Sequence, residues 1–256
     1  MLRSEVNKYF HTRVFWSLIG ISVLLLVLYS FLLAGMNQVG LSNYSFLDYL
    51  VAATNFYINI TFPLMVCLFA AYSLGTEYQW RTLLLPLLEG RSRVSVISSK
   101  IGLTALATAA LYIVFQCAAI LIAFWLFSSQ EIILENRSIT YVEAVGRSLF
   151  SGGWSAMIIF LFGQIALLLI ILYRSQTTAV VGSFMTFIVF ILLGNVHQNP
   201  FAPLLQVSST MVQSANLSRV NYMNTLAAGV IQWLILFALI DGLLIYVFRT
   251  RDIVLD

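Results

Sequence analysis

The chain has 256 residues, 61% of them hydrophobic and only 9% charged, with a formal net charge of +3. A water-soluble domain of this size carries about a quarter charged residues, so too few polar side chains exist here to cover a hydrated surface. A soluble enzyme and a nucleic-acid-binding protein are both excluded, and a lipid-embedded protein is left, its backbone amides paired internally in helices.

The first 13 residues read as an amphipathic helix, with Leu2, Val6, Tyr9 and Phe10 on one face and Arg3, Glu5, Asn7 and Lys8 elsewhere. Such a segment would lie at headgroup level or anchor the chain by its basic charge. Six apolar stretches follow, at about 15–33, 49–72, 101–127, 151–173, 178–195 and 226–248. They are continuous rather than alternating, and each approaches the roughly 20 residues that a bilayer requires. The first is too long for the apolar core of a signal peptide and is read as retained. No linker of domain size interrupts the series, so residues 1–256 read as a single membrane domain.

Basic residues set the expected orientation. With the N-terminus inside, the cytosolic side holds Arg3, Lys8, Arg13, Arg81, Arg91, Arg93, Lys100, Arg174, Arg249 and Arg251, against Arg137, Arg147 and Arg219 outside. Both termini are then cytosolic. Asn-x-Ser sequons at Asn43, Asn136 and Asn216 fall outside. So does the longest outer segment, 196–225, which contains His197 and reads as short amphipathic helices. Cys67 and Cys117 fall within spans and read as buried thiols.

Residues 75–100 are the densest polar segment. Thr76 with Gln79 matches a capping box, Glu77 and Arg81 stand four apart in the favourable order, and Pro86 disfavours helix at Leu85. A short helix over about 77–84 is expected, with Trp80, Leu83 and Leu84 as an apolar ridge and Tyr78 and Arg81 as its flank. A ridge of that kind lies on lipid or enters a groove on a partner.

Within the spans, Asp241 is the lone acid, and Asn55, Asn59, Gln116, Gln164 and Gln232 are the amides of note. Asn55 and Asn59 share a helical face and make it a candidate dimer interface or conduit. The other amides either join helices or line a polar pathway. For Asp241, a structural hydrogen bond or an ion pair with Arg174 or Arg249 is favoured over a substrate or proton contact. Neither His11 nor His197 has neighbours at metal-ligand spacing. No span contains His or Glu, so an intramembrane enzyme has no catalytic constellation to work with.

The run Glu77-Tyr78-Gln79-Trp80-Arg81-Thr82-Leu83-Leu84, followed by Gly90-Arg91-Ser92-Arg93 and Lys100, resembles the cytosolic loop of type-2 ABC transporter permeases. Thr82, Gly90, Ser92, Arg93 and Lys100 fit the family pattern, whereas its Gly before Thr is Arg81 here. The six spans and the amphipathic start are similar to that family too. The resemblance implies an all-α, six-helix permease of an exporter in a bacterial cytoplasmic membrane, working by alternating access. It also implies that the short helix is a coupling helix, with Glu77, Tyr78, Trp80, Arg81, Leu83 and Leu84 contacting an ATPase subunit. The chain has no Gly-x-x-x-x-Gly-Lys-Ser/Thr phosphate loop, so no cofactor is expected in it. ATP and Mg²⁺ would sit on two copies of a separate subunit, beside a second, identical or different, permease. An ATP-independent channel or carrier is the alternative, and it would leave the Trp80–Leu84 ridge without a purpose.

Overall fold

A computed structural model describes residues 2–40, 44–80, 82, 84–127, 133–134, 137–138, 140–194 and 220–250. The segment at 195–219, with His197 and Asn216, lies outside the described residues, as do Asn43, Arg81, Leu83 and Asn136.

The described chain is almost entirely helical. In order it forms α1 (Leu2–Phe10), α2 (Arg13–Gln38), α3 (Phe46–Phe56), a π-helical turn (Tyr57–Thr61), α4 (Phe62–Gln79), α5 (Leu84–Leu88), α6 (Arg93–Leu126), α7 (Tyr141–Tyr173), α8 (Gln176–Gly194) and α9 (Val220–Thr250). Between α6 and α7 a two-residue antiparallel ladder, β1 (Ile133–Leu134) with β2 (Arg137–Ser138), is the sole strand pairing among the described residues. Five helical stretches are long and apolar enough to cross a membrane: Arg13–Gln38, Phe46–Gln79, Arg93–Leu126, Tyr141–Tyr173 and Leu226–Thr250. The sixth apolar helix, α8, has 19 residues, about 28 Å at 1.5 Å per residue, close to the hydrocarbon thickness alone.

Hydroxyl caps define most helix starts. Thr12, Ser92 and Thr140 accept from the backbone N–H three residues on, and Ser45 completes a reciprocal capping box with Asp48. The second span is one continuous path from α3 to α4 with a change of pitch. Phe62 N–H reaches back to Tyr57 O, one residue further than an α-helix allows. Pro63 explains the change, because it has no N–H to donate and its ring would strike an α-helical carbonyl four residues back.

Two stretches make the core. Phe46–Gln79 and Tyr141–Tyr173 are each 67% buried over their apolar windows, against 6% for α9 at the rim. These core helices run parallel in steady register: Thr54 meets Ser148 at 3.4 Å and the Cys67 thiol faces the Phe162 carbonyl at 3.9 Å. Gly163 lets α7 approach closely, since a Cβ there would lie 2.9 Å from both Thr104 Cγ2 and Val66 Cγ1. Both neighbours are β-branched and stiff. Gly163→Ala is therefore expected to cost about 1–3 kcal/mol through overpacking, read as a lower melting temperature of the detergent-solubilised protein. An unchanged melt would show that the contact is loose.

Several sequence expectations are corrected. Cys117 is exposed, not buried. The last span, Leu226–Thr250, starts where expected, within a helix that begins at Val220. Among the described residues the helix expected over 77–84 is not a single element. α4 runs on to Gln79, and Thr76 sits inside it with its hydroxyl donating to the Tyr72 carbonyl. The short separate helix lies at Leu84–Leu88, with Pro86 in its first turn, where a missing N–H costs nothing because those amides have no intrahelical acceptor.

Candidate functional site

The first turns of α6, the last turns of α4 and the whole of α1 meet at one end of the bundle. Ser92 starts α6 there, and seven residues into that helix Lys100 is fully buried. A lone buried ammonium would cost several kcal/mol, and here it has partners on every side. Its Nζ donates to Glu5 Oε2 at 2.6 Å, to Glu77 Oε1 at 2.7 Å and to the Ser73 carbonyl at 3.3 Å. It also lies 4.6 Å from the centroid of the Tyr9 ring. Lys8 Nζ reaches the same Glu77 oxygen at 2.7 Å from the half-exposed side.

Two lysines thus balance two glutamates across three elements. Glu5 and Tyr9 stand one turn apart on α1, so one face of that helix delivers both a carboxylate and a phenol. The Tyr9 hydroxyl donates to the Ser73 carbonyl and to Glu77 Oε1, the latter at 3.1 Å. Burial first, and then the neighbouring Glu77 charge, push the Tyr9 phenol well above its ordinary range. It stays protonated and serves as a donor.

α1 is amphipathic as expected, and this arrangement corrects only the place of Glu5 on it. Its buried side carries Glu5 and Tyr9, with Val6 and Phe10 half-buried beside them. Glu5 points into the protein rather than toward water. Glu77 does so too: its carboxylate is spent on Lys100, Lys8 and Tyr9. Hydropathy alone could not reveal this. The signal was the joint presence of Glu5, Glu77 and Lys100 at the mouths of otherwise apolar helices.

From this cluster the chain emerges into a short connection. Trp80 ends α4 and is 77% exposed, and Leu88 ends α5 and is 80% exposed. Tyr78 is half-buried against the core. The side chains of Arg81, Leu83 and Leu84 lie outside the described residues. Gly90 then turns the chain with φ of +79°, a backbone that favours glycine, and Ser92 caps α6.

The polar residues expected within the spans do not gather into one place. Asn55, at the end of α3, and Asn59, within the π-turn, are both exposed. Gln116 is buried at the opposite end, where its amide donates to Ser148 Oγ at 2.6 Å and joins α6 to α7. Nearby, Arg147 is buried and paired with Glu143 at 2.8 Å. Gln164 is buried in the middle of α7, and Gln232 and Asp241 are half-buried on α9. Among the described residues Asp241 forms no ion pair with Arg174 or Arg249, and its Oδ1 has no hydrogen-bond partner. Among the described residues no group of three or more His, Cys, Asp or Glu could hold a metal ion.

The sequence profile of the family described as "ABC-2 family transporter protein" matches residues 1–194, which takes in α1 through α8 and both faces of the Lys100 cluster. No curated protein matches the sequence.

Proposed function

The chain belongs to the ABC-2 family of transporter proteins, and on that premise we propose that it is the membrane-spanning subunit of an ATP-driven exporter. It is an integral, multi-pass membrane protein, and its family is the transmembrane component of transporters rather than the ATPase. A separate ATP-binding partner follows from that membership.

α8 serves as a sixth span, both termini are cytosolic, and the Lys100 end faces the ATPase. Two ATPase subunits and a second permease complete the assembly, in a bacterial cytoplasmic membrane. ATP closes the ATPase pair, each subunit pushes on the 80–91 connection, and the bundle alternates between inward and outward openings. One observation supports this most: a connection that exposes Trp80 and Leu88 is joined directly to a neutral ionic cluster that clamps α1, α4 and α6 together. A push on the connection moves those three helices as a unit, because parting them would strand buried charges.

The test is capture of the tagged chain from native membranes in mild detergent, followed by mass spectrometry and an ATPase assay. A stoichiometric ATP-binding partner is expected. A stable complex that hydrolyses no ATP would overturn the reading and favour an ATP-independent carrier.

A further inference from the structure

Between α7 and α9 two polar side chains stand without partners at the same depth. Gln164 is fully buried, and neither its amide nitrogen nor its carbonyl oxygen has a hydrogen-bond partner. Buried amides are nearly always satisfied, and leaving one unsatisfied in an apolar interior costs on the order of several kcal/mol. Asp241 is half-buried, and its Oδ1 is enclosed and equally unpartnered.

The register of the two helices brings them to one level. The Trp233 indole donates to the Met157 carbonyl at 2.9 Å, an offset of 76 residues. The Phe160 and Phe237 rings pack at 6.0 Å between centroids. Gln164 and Asp241 differ by 77 positions, so they continue the same parallel seam by one turn. On α7, positions 157, 160 and 164 share a stripe, and on α9 positions 233, 237 and 241 do.

No described cation answers the Asp241 carboxylate. Lys100 is committed to Glu5 and Glu77. Arg249 lies eight residues along α9, about 12 Å away, where its carbonyl accepts from Arg93. A bare metal ion would need more ligands than the one acid and one amide here, and no cluster of three such residues exists among those described. The seam beside them is aromatic, with Trp233 stacked on Phe237 and Phe160 tilted against it. Aromatic faces with one carboxylate suit an organic cation. The outer side of α9 exposes Leu234, Leu239 and Leu243, so the seam borders lipid and is reachable by a molecule dissolved in it.

We propose that Gln164 and Asp241 form an intramembrane site for the cationic group of an amphipathic molecule, an ammonium or comparable organic cation carried on an apolar body. This rests on the permease reading, of which it names the cargo class. Asp241 supplies the charge, and Gln164 supplies the acceptor that orients the bound group.

Tetraphenylphosphonium binding to the purified protein tests it, with tetraphenylborate as the anion of the same shape. Saturable binding of the cation alone is expected. Asp241→Asn should weaken it by about ten-fold or more and Gln164→Leu by less, while Asp241→Glu retains most of it. Melting curves of all three variants report folding. Equal binding of cation and anion, no saturable binding, or an Asp241→Asn variant that folds and binds as the wild type would each overturn the site. Capture of an ATPase subunit is scored separately. Capture without Asp241-dependent binding removes only the cation site, and Asp241-dependent binding without capture removes only the ABC exporter reading.

Discussion

Lys100→Met lowers the stability of the detergent-solubilised protein by about 3–5 kcal/mol, the usual cost of removing one partner from a buried ionic cluster. The lysine is fully buried, and it is the group that both Glu5 and Glu77 face at 2.6 and 2.7 Å. Without it, Glu5 has no cation, and Glu77 keeps only Lys8. The melting temperature should fall by on the order of ten degrees. Two companion variants make the result specific. Lys8→Ala removes a side chain that is 49% exposed, and its effect stays below about 1 kcal/mol because water screens that pair. Adding Glu5→Gln to Lys100→Met removes the stranded charge and recovers part of the loss. If Lys100→Met and Lys8→Ala melt alike, the cluster does not organise this end of the bundle. The charges are not there because charge stabilises better than hydrocarbon. A well-packed apolar trio in place of Glu5, Glu77 and Lys100 could be just as stable. What ionic pairing adds is discrimination: α1 fits in one register only, with Glu5 on Lys100 and Tyr9 on Ser73.

In the proposed exporter, Trp80→Asp is expected to release the ATPase subunit from the permease. The indole is 77% exposed at the end of α4, so the substitution should leave the folding stability unchanged within about 0.5 kcal/mol. In the exporter reading, however, it removes an aromatic anchor from the centre of a protein–protein contact. Such anchors contribute about 2 kcal/mol or more, so capture of the ATPase subunit should weaken by roughly 30-fold. Leu88→Asp, at the other exposed end of the connection, should act in the same direction. Glu77→Gln should behave oppositely, disturbing folding more than capture, since its carboxylate is buried among lysines. Full capture by a folded Trp80→Asp protein would place the partner contact elsewhere.

These variants also mark where the sequence was informative. The spans were legible because a bilayer imposes a length and a polarity on each of them, and Phe46–Gln79 and Tyr141–Tyr173 appear where continuous apolar runs demand. Their ends were less legible. α6 begins at Arg93 rather than near 101 and α7 at Tyr141 rather than near 151, because helices overshoot the hydrocarbon and their polar first turns look like loop. The Thr76–Gln79 pair imitated a helix start, but packing of α4 around Lys100 carries the helix through it. The change of pitch at Pro63 was not read from the sequence, because the apolar run around it is continuous. Within the candidate site, the exposure of Trp80 followed from the segment around it, whereas the inward turn of Glu77 depended on residues 72 positions earlier and 23 later in the chain. No local pattern encodes such a meeting. Gln164 and Asp241 were each noticeable alone, and only the helix register set them at one depth.

The Lys100 cluster also fixes an order of assembly. During synthesis Glu5, Lys8 and Tyr9 leave the ribosome first, Glu77 follows after two spans, and Lys100 comes last. Until the third span arrives, two acids share a single lysine, and α1 has no buried cation to dock against. The N-terminal helix therefore cannot reach its final seat by itself. In a chain arrested before residue 100 the first helix is therefore expected to stay open to proteolysis, and in the full chain to be protected.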